Sequence, residues 1–303
     1  MNAMDSVHAK TDVPFPPDPN PRTPNFRVPR GSWDTHFHLY GPPHRFPYAD
    51  TRLRTPPAAP IEHWWSTSAA IGIERGVTVT PGIHGSNNDA TLDAIERSEG
   101  RLAGMIRSNS ELTAADVAGL HRRGVRGMRF AFATRGRDAF DERELWANLA
   151  NIEPSGWVVA LLMDGHVLER HAEVVANLPV PTVIDGFAGI SPGRGVDQPA
   201  VRTLLDVLRR PNVHLKIMCP DRELHAGERY EDVVALVRAI VATAPDRVMW
   251  GSDWPHSYVY EAGKVPNDGD LLGMLSDFVP DEHVRSKILV DNPTRLFGGS
   301  LNA

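Results

Sequence analysis

Eight short apolar and β-branched runs, separated by helix-like stretches, limit the folds open to this chain more than any other feature. They occupy residues 32–40, 77–84, 102–108, 125–132, 157–164, 182–187, 213–219 and 247–253. Strands that alternate with amphipathic helices pair in parallel, because each crossover helix returns the chain to the same end of the sheet. The intervening segments carry helix signals. In 87–100, Asn88 or Asp89 is placed to cap; Thr113 precedes Asp116 in capping-box spacing, and Gly124 supplies a stop. In 230–245, Val233, Val234, Val237, Ile240 and Val241 recur at the three-and-four spacing of a helix buried on one face. Eight such units predict an α/β protein: a single-domain (βα)8 TIM barrel over residues 31–303. An open doubly wound sheet is the rival, but no G-x-G-x-x-G follows the first run.

Size and charge agree with one soluble barrel. A chain of 303 residues, 41% hydrophobic, is long enough for such a core. Asp and Glu number 38 against 32 Lys and Arg, a formal charge of −6 that gives no electrostatic reason to expect nucleic acid or an acidic membrane as partner. Cys219 is the only cysteine, so no internal disulfide forms and a reducing compartment is expected. The amino terminus lacks the apolar segment of a secretory signal, and no run is long enough to span a bilayer. The expectation is a cytoplasmic protein with a small soluble substrate, and homo-oligomerisation stays open. Residues 1–30 are Pro-rich and aperiodic, which suits either an extended arm laid over the body or a disordered one.

In a barrel of this kind, polar residues at the carboxyl ends of the strands form one ring. That ring would contain His36 and His38 from the first run, His84 from the second, Arg129 and Arg135 from and after the fourth, and Asp164 and Asp185 from the fifth and sixth. Lys216 and Arg222 would come from the seventh run and its loop, and Asp253 from the eighth. Residues i and i+2 of a strand share a face, so both imidazoles of "WDTHFHLY" enter the mouth while Phe37 packs outward. The pair suits a metal or hydrogen bonds to a substrate. Asp253 ends the apolar run "MWGSD", where a carboxylate must be paired or act as a base. Arg129, Arg135 and Arg222, with Arg54 after the first strand, are forks that match carboxylates and imply an anionic substrate.

The segments 34–48, 84–95, 124–135, 216–224, 249–256 and 291–298, in this order and spacing, resemble the amidohydrolase superfamily of the amidohydrolase-2 type. Within it they are most similar to the branch containing 2-pyrone-4,6-dicarboxylate lactonase. The resemblance implies a (βα)8 barrel that opens a cyclic ester carrying carboxylates. It assigns Asp253 to water activation, His36 and His38 to polarising the lactone carbonyl, and Arg129, Arg135 and Arg222 to the carboxylates; Arg54 and His84 are further substrate-binding candidates by their place at strand ends and loops alone. The chain departs from the pattern after the sixth run, where Gly186 stands in place of a histidine. That missing ligand makes metal-independent chemistry the expectation, with zinc on His36, His38 and Asp253 as the alternative. The rival activities are a zinc-dependent lactonase or decarboxylase, an aldarolactone isomerase, and a barrel that binds an acid without turnover.

Overall fold

The computed structural model describes residues 13–108, 111–132, 142–220 and 229–298. Its eight strands are β1 (Trp33–Phe37), β2 (Arg75–Val79), β3 (Leu102–Ile106), β4 (Val125–Ala131), β5 (Val158–Leu162), β6 (Thr182–Asp185), β7 (Val213–Met218) and β8 (Val248–Gly251), hydrogen-bonded in that order. All seven neighbouring pairs are parallel. The ring is brought round by a parallel bridge between Phe37 and Trp254, by Thr35 Oγ1 donating to Trp250 O at 2.7 Å, and by Asp253 N–H donating to His36 O at 2.8 Å. This is the (βα)8 barrel expected from the run count.

Helices α1 (Ile61–Ile71), α2 (Asp89–Glu96), α3 (Ala114–Arg122), α4 (Glu142–Ile152), α5 (Gly165–Ala176), α6 (Pro199–Leu208), α7 (Tyr230–Thr243) and α8 (Asp268–Gly273) follow the strands in turn. Thr113 and Asp116 form the expected reciprocal capping box at α3. At α2 the cap differs from expectation. Asn87 Oδ1 accepts the Asp89 N–H at 2.9 Å, whereas the Asn88 amide is turned away to clamp residue 107. The buried face of α7 is Val233, Leu236, Val237, Ile240 and Val241, as the spacing implies; Val234 is only partly buried.

Two-residue alternation divides the core. Val77 and Val79, Ala103 and Met105, Val158 and Ala160, with Val183 and Met249, fill the barrel interior. Their neighbours Ile106, Met128, Leu161, Ile184, Leu215 and Ile217 face the helices. Phe37 likewise points outward, stacked on Trp64 with ring centroids 4.0 Å apart. Continued to the strand ends, the inward parity carries Arg107, Arg129, Asp185 and Lys216 into the mouth. Gly251 is required there, since a Cβ would lie 2.7 Å from that of His36. Among residues 13–30, Phe15 N–H donates to Val259 O, and Arg22 N–H to Asn267 Oδ1, each at 2.8 Å. No helix among the described residues is long and apolar enough to cross a membrane.

Candidate active site

His36 and His38 converge as their spacing implies. Their Nε2 atoms are 3.3 Å apart, and Asp253 Oδ1 lies 3.6 Å from the first and 3.3 Å from the second. His38 Nδ1 donates to Val79 O at 2.7 Å, so its Nε2 presents a lone pair to the mouth. The Asp253 carboxylate is held by its backbone. Asp253 has φ of 58°, in the left-handed region, which costs a non-glycine residue roughly 1–2 kcal/mol. The N–H bond to His36 O and the His256 N–H bond to Asp253 O, at 3.2 Å, secure that turn.

Beneath this triad lies a buried charge network. Asp185 receives Arg129 Nε at 2.7 Å and Lys216 Nζ at 3.2 Å, and His36 Nδ1 stands 3.4 Å from both Asp185 Oδ1 and Lys216 Nζ. Burial pushes the Asp185 carboxyl up, but Lys216, His36 and Arg129 together outweigh it and hold the group well below the usual carboxylate range. Burial dominates at His36, whose pKa is pushed down to about 3, so the imidazole is neutral at physiological pH. Arg129 therefore balances an internal carboxylate through Nε, a role the sequence did not reveal.

The remaining candidates divide. Arg54 reaches the rim and donates to Ser257 Oγ from Nη2 at 3.0 Å, and that hydroxyl also meets Tyr40 OH at 2.8 Å. His84 was expected to face the substrate. Instead its ring nitrogens are engaged by Pro47 O at 2.9 Å and Leu39 O at 3.2 Å, which pins the loop after β1. Asp164 is exposed, at the N-cap position of α5, two residues past the end of β5. Arg135 and Arg222 lie outside the described residues. Sequence reasoning overlooked Arg107, Tyr40 and Ser257. Only Arg107 had a readable signal, the first residue after an apolar strand and two beyond the inward-facing Met105.

His256 does not face the mouth. It is fully buried, with Nε2 3.1 Å from Asp268 Oδ1, and burial pushes its pKa down while the Asp268 charge and hydrogen bond outweigh that and raise it well above the ordinary value. A raised folded-state pKa stabilises fully below about pH 6.5, and the contribution is lost as pH rises through the raised value. Asp268→Asn should therefore lower Tm most at about pH 5.5, with the gap to wild type narrowing at about pH 9. Thermal melts across this range check it, and a gap independent of pH would remove the ion pair as its source.

Donor geometry at the mouth fits a divalent cation: His36, His38 and Asp253 each offer one ligand atom, all within 4.8 Å of one another. Two proton arrangements serve the same atoms. If Lys216 donates to His36 Nδ1, the His36 Nε2–H is aimed at His38 and Asp253. If His36 Nδ1–H donates to Asp185, both Nε2 lone pairs and the Asp253 carboxylate face one point, as a metal would require.

A parallel eight-stranded barrel whose carboxyl-end mouth gathers paired histidines, a strand-eight aspartate and guanidinium groups has its polar residues where (βα)8-barrel enzymes carry their active sites. The chain belongs to the amidohydrolase family, whose pattern it matches over residues 33–299. It is 43% identical over 279 residues to the 4-sulfomuconolactone hydrolase of Hydrogenophaga intermedia, covering 90% of each chain. It is 33% identical over 287 residues to the 2-pyrone-4,6-dicarboxylate hydrolase of Comamonas testosteroni, covering 92% of this chain and 93% of that one. A crystal structure of an Agrobacterium tumefaciens protein superposes with a TM-score of 0.79 at 28% identity, covering 92% of this chain and 99% of the other.

Proposed function

We propose that this protein hydrolyses a small lactone that carries anionic groups, the substrate being closer to a sulfonated muconolactone than to a pyrone dicarboxylate. The observation that carries the reading is the convergence of His36, His38 and Asp253 at the barrel mouth, above a charge network that ends in Arg129. The higher identity to the sulfomuconolactone hydrolase supports the sulfonated substrate over the dicarboxylate.

In this reading Asp253 accepts a proton from water, and the oxygen adds to the lactone carbonyl. The carbon–oxygen bond of the ring then breaks: the leaving alkoxide takes up the proton from Asp253 to become a hydroxyl, and the new carboxylic acid loses its remaining proton to solvent as a carboxylate. Neutral imidazole at His36 offers a hydrogen to the developing oxyanion, in a site already oriented by Asp185 and Lys216. Arg129 and Arg54 place positive charge on opposite sides of the mouth to align an anionic ring, so that binding energy becomes orientation. The same His36, His38 and Asp253 would hold a divalent cation, which when bound supplies a Lewis acid for the carbonyl and a more acidic water.

Assay of 4-sulfomuconolactone and 2-pyrone-4,6-dicarboxylate, with product identified by NMR, tests the reading. Ring opening with uptake of one water is expected, faster on the sulfonated lactone. Acyl migration within the ring, or no turnover of either compound, would overturn it. A chelator arm assigns the roles. Activity that survives metal removal makes Asp253 the base; activity lost and restored by zinc makes His36, His38 and Asp253 ligands.

A further inference from the structure

Arg107 is a cation at the mouth that the lactone chemistry does not yet use. It follows β3 directly, and the register of Ile106 opposite Met128 sets it beside Arg129 on the inward parity. Asn88 grips its backbone on both sides, accepting the Arg107 N–H at 3.0 Å and donating to Arg107 O at 2.8 Å. The side chain reaches over the loop after β2, where a Cβ at Gly82 would lie 3.9 Å from Arg107 Nη1. That distance is ordinary van der Waals contact, which places the guanidinium against the loop after β2. No described residue accepts a hydrogen bond from that guanidinium.

The neighbouring cations are not equivalent. Arg129 Nε is committed to Asp185 at 2.7 Å, and Lys216 is balanced by the same carboxylate. Among the described residues, Arg107 has no such carboxylate in contact. Burial, then repulsion from Arg129, pushes its pKa down to about 10, with Glu144 opposing, so it remains cationic at neutral pH. Two neighbouring guanidinium groups repel each other until an anion sits between them. A planar carboxylate or a sulfonate would accept from both forks.

We propose that Arg107, with Arg129 at its flank, forms the subsite for the anionic substituent remote from the scissile carbonyl. The subsite would thereby select lactones with two anionic groups over those with one. This rests on the lactone-hydrolase reading for its substrates, but the anion subsite itself can be tested without turnover.

The binding probes are benzene-1,3-dicarboxylate and benzoate, measured by calorimetry on the full chain for wild type, Arg107→Met and Arg107→Lys. The dicarboxylate should weaken roughly 10- to 100-fold in Arg107→Met and less in Arg107→Lys, which keeps the charge but loses the fork, with benzoate nearly unchanged. Equal weakening of both probes, or no change in either, would overturn the subsite. The second arm is kinetic, on 4-sulfomuconolactone and the same lactone without the sulfonate. KM should rise in Arg107→Met for the sulfonated compound alone, with kcat held. Loss of kcat on both lactones would show a structural role instead. If wild type turns over neither lactone while dicarboxylate binding still depends on Arg107, the hydrolase reading fails and the subsite stands.

Discussion

Asp253→Asn is expected to lower kcat on the productive lactone by about 10³-fold or more, with the lactone still bound. The amide keeps the size of the carboxylate and the turn at φ of 58°, so the loss isolates the proton-accepting or metal-binding oxygen from the fold. Both His36 and His38 lie within 3.6 Å of that oxygen, leaving no other described carboxylate at the same point to replace it. Single-turnover kinetics separate chemistry from release, and calorimetry with a slow substrate measures binding. A variant that kept a tenth of wild-type kcat would displace Asp253 from the centre of the mechanism. Under the cation reading the variant should also lose bound zinc, an outcome that elemental analysis reads directly.

The second large effect is on stability. Asp185→Asn would strip the shared counter-charge from Lys216, which is fully buried, and from Arg129, which is 9% exposed. Breaking a buried pair by removing one partner costs about 3–5 kcal/mol, because the remaining charge has neither water nor an anion. For a protein of this size that corresponds to a fall in Tm on the order of 10 °C. Lys216 offers the relief. Its pKa is already lowered by burial against the pull of Asp185, so in the variant it can shed its proton, and the deficit should shrink as pH rises. The double variant Asp185→Asn, Lys216→Met should recover part of the lost Tm, since no uncompensated ammonium remains. An Asp185→Asn protein that melts with wild type would show that the network contributes little to the fold.

How much of this was readable in the chain can be judged residue by residue. The "H-x-H" spacing placed two imidazoles on one face of β1, and Phe37 outward against Trp64, because alternation is a property of the extended backbone itself. The abrupt carboxylate at the end of "MWGSD" was equally legible, since an apolar run that stops in a charge marks a strand end. His84 carried the same kind of signal and serves differently: carbonyls from the loop after β1, some forty residues away, capture its ring. Asp164 ended a run of apolar residues too, but its strand closes at Leu162 and the residue stands exposed at a helix start.

What the sequence determined by itself was the order of eight parallel staves and the face shared by His36 and His38, because pleat and helix periodicity are set by covalent geometry. Which charges neutralise one another was decided only by tertiary structure. Asp185 meets Arg129, Lys216 and His36 across β4, β6, β7 and β1, and it can do so only once the sheet has curved round upon itself. The same curvature brings Arg107 beside Arg129 and leaves its guanidinium without a contacting carboxylate among the described residues. Pairing depends on distances of a few ångströms between residues dozens of positions apart, a quantity that no local pattern contains.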